Sequence, residues 1–117
     1  MRYALLVYND AEAMGRRSAA EAERTRDEIE AVLRRPEVVD WLRLRESDSA
    51  TTMRGEGDRT LLTDGPFVDS KDYLGGLIVI EADDLDGALA IVEELQAPRG
   101  SGAIEIRPLL ADGLDAP

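Results

Sequence analysis

The chain has no cysteine and no histidine, and only one lysine, one tryptophan and one phenylalanine. Each absence removes a class of chemistry. Without cysteine there is no disulfide, no thiol nucleophile and no thiolate metal site. Without histidine there is no Ser-His-Asp triad, no imidazole base poised near neutral pH and no nitrogen-ligated zinc or iron. Acid–base chemistry is left to Asp, Glu, Tyr or Lys71. A metal would have to be a hard, oxygen-ligated ion, and no calcium-loop spacing is present. The expectation is therefore no metal and no cofactor. Long apolar runs are also missing, since a bilayer span needs about 20 residues. The first residues carry no basic n-region and no cleavage site, so they do not read as a secretory signal. Cytoplasmic residence without membrane association is the expectation.

Positive charge is scarce: 14 basic residues stand against 25 acidic ones, for a net charge of −11. A nucleic-acid binder needs a cationic face to displace counterions, so nucleic acid is not expected as a partner. The arginines at 24, 26, 34, 35, 43 and 45 nevertheless concentrate in one segment. They read first as a solvated helix face and second as a surface for another protein. The remaining composition is that of an ordinary globular domain, with 117 residues and 44% hydrophobic content. One domain is predicted over residues 1–110, followed by a small polar tail, 111–117, that frays.

Residues 2–8 (RYALLVY) alternate strand formers that are apolar on both faces, as in a central strand. Residues 18–35 turn helical, with Ala22, Thr25, Ile29, Val32 and Leu33 on one face and a capping-box pair, Ser18 and Glu21, at the start. Residues 37–46 are ambiguous between a short helix and a strand-like link. Two short strands, 50–54 and 59–63, flank Gly55-Glu56-Gly57-Asp58 as a hairpin. Residues 74–81 (LGGLIVIE) are the strongest strand. Asp83 or Asp84 then caps a helix with Leu85, Ala88, Leu89, Val92 and Leu95 as its apolar stripe. Residues 103–107 (AIEIR) close the set.

This order, β–α–hairpin–β–α–β, predicts an α+β fold of the ferredoxin-like, split βαβ kind with an added β-hairpin. Two helices cover one face of the sheet. The other face would present Tyr3 or Tyr8 and the apolar side chains of 74–81 to water, which is costly. A homodimer packed face to face as a dimeric α+β barrel, with a cavity between sheet and loops, relieves that cost.

The stretch between hairpin and strand, TDGPFVDSKDYLGG (63–76), admits two readings. Structurally, Gly65-Pro66 turns the chain, Asp64 forms an Asx-turn, and Phe67 plugs the core. Functionally, Gly75 and Gly76 leave a notch at the mouth of a central strand, and glycine there often marks close approach of a ligand. Asp64, Asp69 and Lys71 lie close to it in sequence. A carboxylate in such a notch has a raised pKa and suits a general base. Lys71 then anchors a ligand anion, or remains a solvated lysine.

This motif, with MRYALLVYND before it and DDLDGALAIVEEL and GAIEIRPLL after it, resembles the YCII-related family, in particular a branch marked by DGPF, an acid, Ser/Thr, Lys and a Gly-Gly pair. The resemblance covers residues 1–10 and 50–110. It implies a ferredoxin-like dimeric barrel with a small cavity near the DGPF loop. It implies further that Asp64 stands where relatives pair an aspartate with a histidine, a dyad this chain lacks, and that some relatives are dehalogenating or lactone-handling enzymes. Arg107 also falls on a recurrent family position. It reads either as a carboxylate or phosphate anchor or as a partner of nearby acids. Tyr8 offers a hydroxyl on the sheet face, or packs between subunits.

Two functions follow as expectations. The first is binding of a small polar or anionic metabolite by the DGPF loop, with Asp64 as the catalytic element if chemistry occurs and Lys71, Gly75, Gly76, Arg107 and Tyr8 as binding positions. The second is a non-catalytic protein-interaction module serving a transcription regulator such as an alternative sigma factor, an association the resemblance implies.

Overall fold

The computed structural model describes residues 1–110. The fraying expected for 111–117 lies outside the described residues. The first strand, β1 (Arg2–Asp10), buries Tyr3 and Leu5 completely, and Val7 packs against the same core. Asp10 ends it by accepting from the Ala13 amide at 3.2 Å, which caps a one-turn helix, α1 (Ala11–Gly15), that the sequence pattern did not reveal. The long helix α2 (Ala19–Leu33) begins as the capping pair predicts, with Ser18 Oγ accepting from the Glu21 amide at 3.1 Å.

The ambiguous segment is a strand, β2 (Val38–Arg43), running antiparallel to a later central strand. Its Val-Val-x-Trp composition favours the pleated surface over a short helix. The hairpin strands β3 (Thr51–Glu56) and β4 (Arg59–Asp64) follow, joined through Gly57 at φ 65°, a conformation that suits glycine. The central strand β5 (Asp72–Glu81) leads to α3 (Leu85–Gln96), where Asp84 is the cap and accepts from the Gly87 amide at 2.9 Å. The last strand is β6 (Ala103–Pro108).

The main sheet has the order β2-β5-β1-β6, and each neighbouring pair is antiparallel. Two β-α-β units therefore interleave: β5 separates β1 from β2, and β1 separates β5 from β6. In register, Leu5 faces Ile78 and Ile106, and Tyr3 faces Ile80. These side chains meet Val32 and Leu33 of α2 and Ala88, Ile91, Val92 and Leu95 of α3 in one core. Both helices thus lie on the Tyr3 face. The fold is α+β with antiparallel sheets, and within one chain it is open, with β2 and β6 as edges and no closed barrel.

Several sequence-based expectations need correction. Tyr3 does not present itself on the uncovered face; it is 2% exposed beneath the helices, because odd-numbered β1 residues point inward. The uncovered face carries Ala4 and Leu6 in its place, beside Leu77 and Val79 of the 74–81 strand as expected, all half-buried, with Leu42 next to them. Phe67 is no core plug: it is 70% exposed, with the Arg54 guanidinium over its ring at 5.6 Å. On α3, Leu85 and Leu89 face solvent and Ile91 takes an inward position, since the helix rotates to set Ala88 against the sheet.

Candidate functional site

At Gly75 and Gly76 the space left by the missing side chains is occupied from within the chain. A Cβ on Gly75 would lie 2.0 Å from Asn9 Nδ2, and one on Gly76 would lie 2.8 Å from the Leu42 carbonyl oxygen. Glycine at 75 admits the Asn9 carboxamide, and glycine at 76 admits the backbone of edge strand β2. Both glycines also border a half-open cavity of about 490 Å³ between the sheet and α2. Gly75, Gly76 and Ile78 form its floor, Ile29 and Leu33 of α2 its roof, and Trp41 and Arg43 of β2 one wall.

The far end is built around Arg99, in the loop after α3. Arg99 is only 8% exposed. Its Nη2 donates to the Tyr8 carbonyl at 2.5 Å and to Asn9 Oδ1 at 2.9 Å. Its Nη1 donates to Gln96 Oε1 at 2.7 Å and to the Ala103 carbonyl at 3.4 Å. Gly102, at φ 72°, lets the loop close over this guanidinium, because a Cβ there would sit 2.3 Å from the Tyr8 carbonyl oxygen. Burial lowers the Arg99 pKa, and the neighbouring Arg17 charge lowers it further. Arginine stays protonated regardless. A fixed positive charge therefore stands at the inner end of the cavity.

Of the residues proposed from sequence, Gly75 and Gly76 lie on this cavity, and Asp64, Lys71, Tyr8 and Arg107 are not among its lining residues. Asp64 closes the exposed hairpin opposite Thr51. Lys71 is exposed, and its backbone carbonyl accepts from the Ala11 amide at 3.3 Å. Arg107 is opposite Ala4 on the uncovered face, 3.9 Å from Glu105. Tyr8 contributes through its carbonyl, which holds Arg99. Sequence reasoning missed Asn9, Arg17, Trp41 and Arg99. One signal was available: the arginine concentration in 24–45 runs against the acidic background, and Arg26, Arg43 and Arg45 all reach the cavity.

Comparison with known proteins gives the lineage. Residues 1–111 match the YCII-related domain. The chain belongs to the YCII-related family. It is also similar to an uncharacterized protein of Rhizobium meliloti (strain 1021), at 35% identity over 114 residues, covering 93% of this chain and 92% of that one. Among the described residues of this YCII-related chain, no helix is long and apolar enough to cross a membrane, and no group of three or more acidic residues is placed to hold a metal.

Proposed function

We propose that this YCII-related protein binds a small polar or anionic metabolite in the cavity floored by Gly75 and Gly76. One observation carries the reading: in a chain of net charge −11, arginines 17, 26, 43, 45 and 99 converge on a single cavity of about 490 Å³. That volume lies in the ordinary range for small-molecule sites, about 300–1,000 Å³. The arginines take the anchoring role that sequence alone gave to Lys71 and Arg107. The DGPF motif supports the cavity indirectly, as the turn that delivers β5 and its glycines.

The experiment is a thermal-shift screen of small carboxylic acids and phosphate esters against the wild type and Ala22→Phe, which fills the cavity from α2. Stabilisation of the wild type alone supports the reading. Equal stabilisation of both proteins removes the cavity from it.

A second element concerns assembly. The strand order is that of a ferredoxin-like unit, and the uncovered face carries Leu6, Leu77 and Leu42 in register across three strands. A second copy packed there would complete the dimeric α+β barrel. The hairpin supports the alternative of a protein-interaction module. Met53 and Leu62 are cross-strand partners, 68% and 67% exposed, and a two-stranded arm is marginal without something to lie on. A stoichiometric protein captured from the native host favours the module, whereas a retained metabolite favours the pocket.

A further inference from the structure

The most buried cation on the cavity, Arg99, is not neutralised by any ion pair among the described residues. Its acceptors are neutral oxygens. The neighbouring charge that acts on it is another cation, Arg17. Burying a guanidinium beside a like charge is unfavourable, and neutral hydrogen bonds offset only part of that cost. Two of the outer cations are likewise unpaired: Arg26 and Arg45 form no ion pair among the described residues, and Arg43 meets Glu30 only at 4.0 Å. Two acids share the lining: Asp10, engaged in capping α1, and Glu46, next to Arg45 in the chain. Asn9, Thr25, Tyr73 and Ser101 add neutral polar groups, and Trp41, Ile29 and Leu33 are among the apolar residues of the same lining. Arg43 lies over the Trp41 ring, 5.7 Å from its centroid, so charge and aromatic surface meet at one point.

We infer that the ligand is an amphipathic organic anion: a compact carboxylate or phosphate head facing the arginines, joined to a small aromatic or branched aliphatic body lying on Trp41, Ile29 and Leu33. This deepens the pocket-binding reading and rests on it. Guanidinium matches both head groups. Arg99, with four N–H bonds already placed, supplies fixed potential, while Arg26 and Arg43 are exposed on the lining and able to contact the head, Arg43 by exchanging its long contact with Glu30. The missing countercharge is supplied by the ligand itself.

Trp41 is the only tryptophan, so its emission reports directly on this wall. The test titrates the protein with phenylacetate, phenyl phosphate, the neutral isostere phenylacetamide, and acetate as a head without a body, with isothermal titration as a second readout. One or both aromatic acids are expected to bind saturably, and the stronger of the two identifies the head group. Phenylacetamide and acetate are expected to bind at least about tenfold more weakly. Arg43→Gln, or Arg26→Gln if the first alters the Trp41 baseline, is expected to weaken the acid about tenfold and leave the amide unchanged. Amide binding equal to acid binding overturns the charge inference and leaves the pocket reading standing. Undetectable binding of both aromatic acids at millimolar concentration also overturns the inference. Acid binding undiminished by Ala22→Phe overturns the pocket reading itself.

Discussion

The Asn9 carboxamide occupies the space that a side chain at residue 75 would need: a Cβ on Gly75 would lie 2.0 Å from its Nδ2, while its Oδ1 is held by Arg99 at 2.9 Å. This contact joins the glycine notch to the buried cation, so a change on β5 propagates to the loop after α3.

The first prediction follows from that geometry. Replacing a strand glycine with alanine ordinarily gains about 0.5–1 kcal/mol. Gly75→Ala is expected to do the reverse and cost about 1–3 kcal/mol, because Asn9 must leave its place and release Arg99. Gly76→Ala meets the Leu42 backbone and is expected to loosen β2, seen as faster amide exchange in Val38–Arg43. Urea denaturation checks the sign; a stabilised Gly75→Ala contradicts the packing described.

Arg99 gives the second. Its guanidinium serves four oxygens from β1, α3 and β6 at once, which a lysine ammonium with three donors cannot match. Arg99→Lys is expected to cost about 1–3 kcal/mol through acceptors left without donors. A denaturation midpoint equal to wild type would show that these bonds contribute nothing.

How much of this was legible beforehand depends on the range of the interactions. Ser18 and Asp84 act on amides three residues away, and their capping roles could be read from spacing. The α+β class could be read from the element order, although that order lacked the edge strand β2. Residues 38–43 were ambiguous because an edge strand with five of its six residues exposed keeps no clean period. Phe67 was misplaced because its exposure depends on where the hairpin arm projects, which local pattern does not encode. Gly75 and Gly76 do border the cavity, but the residues around them were assigned by nearness in sequence. Asp64 and Lys71 are close along the chain, whereas Asn9 and Arg99 come from 66 positions before and 24 after Gly75 and arrive only through β1–β5 pairing and the fold of the α3–β6 loop.

The third prediction concerns pH. The Glu81 carboxylate accepts from the Met1 ammonium at 2.8 Å and from Arg2 Nε at 3.1 Å. These hydrogen bonds hold its pKa below the ordinary value of 4.5, although slight desolvation opposes them. A depressed folded-state pKa stabilises above the ordinary value, and the contribution is lost as pH falls through the folded one. Glu81→Gln is therefore expected to melt slightly below wild type at pH 7, with the gap closing below pH 4.5. The pair is exposed, so the gap is small. A gap that stays constant into the acid range contradicts the assignment.

The hairpin arm supplies the fourth. Met53 and Leu62 touch each other and solvent, so replacing both with serine is expected to change monomer stability by no more than about 0.5 kcal/mol per site. If the arm contributes to assembly, the same change lowers the mass observed in sedimentation at a fixed concentration. Unchanged mass removes the arm from assembly.

The most direct measurement is amide and indole chemical-shift mapping of the full chain during titration with phenylacetate. The account predicts saturable perturbations at Gly75, Gly76, Arg43 and the Trp41 indole, with Asp64 and Lys71 unmoved. Perturbations centred on Asp64 and Lys71, or none that saturate at the glycine floor, would contradict it.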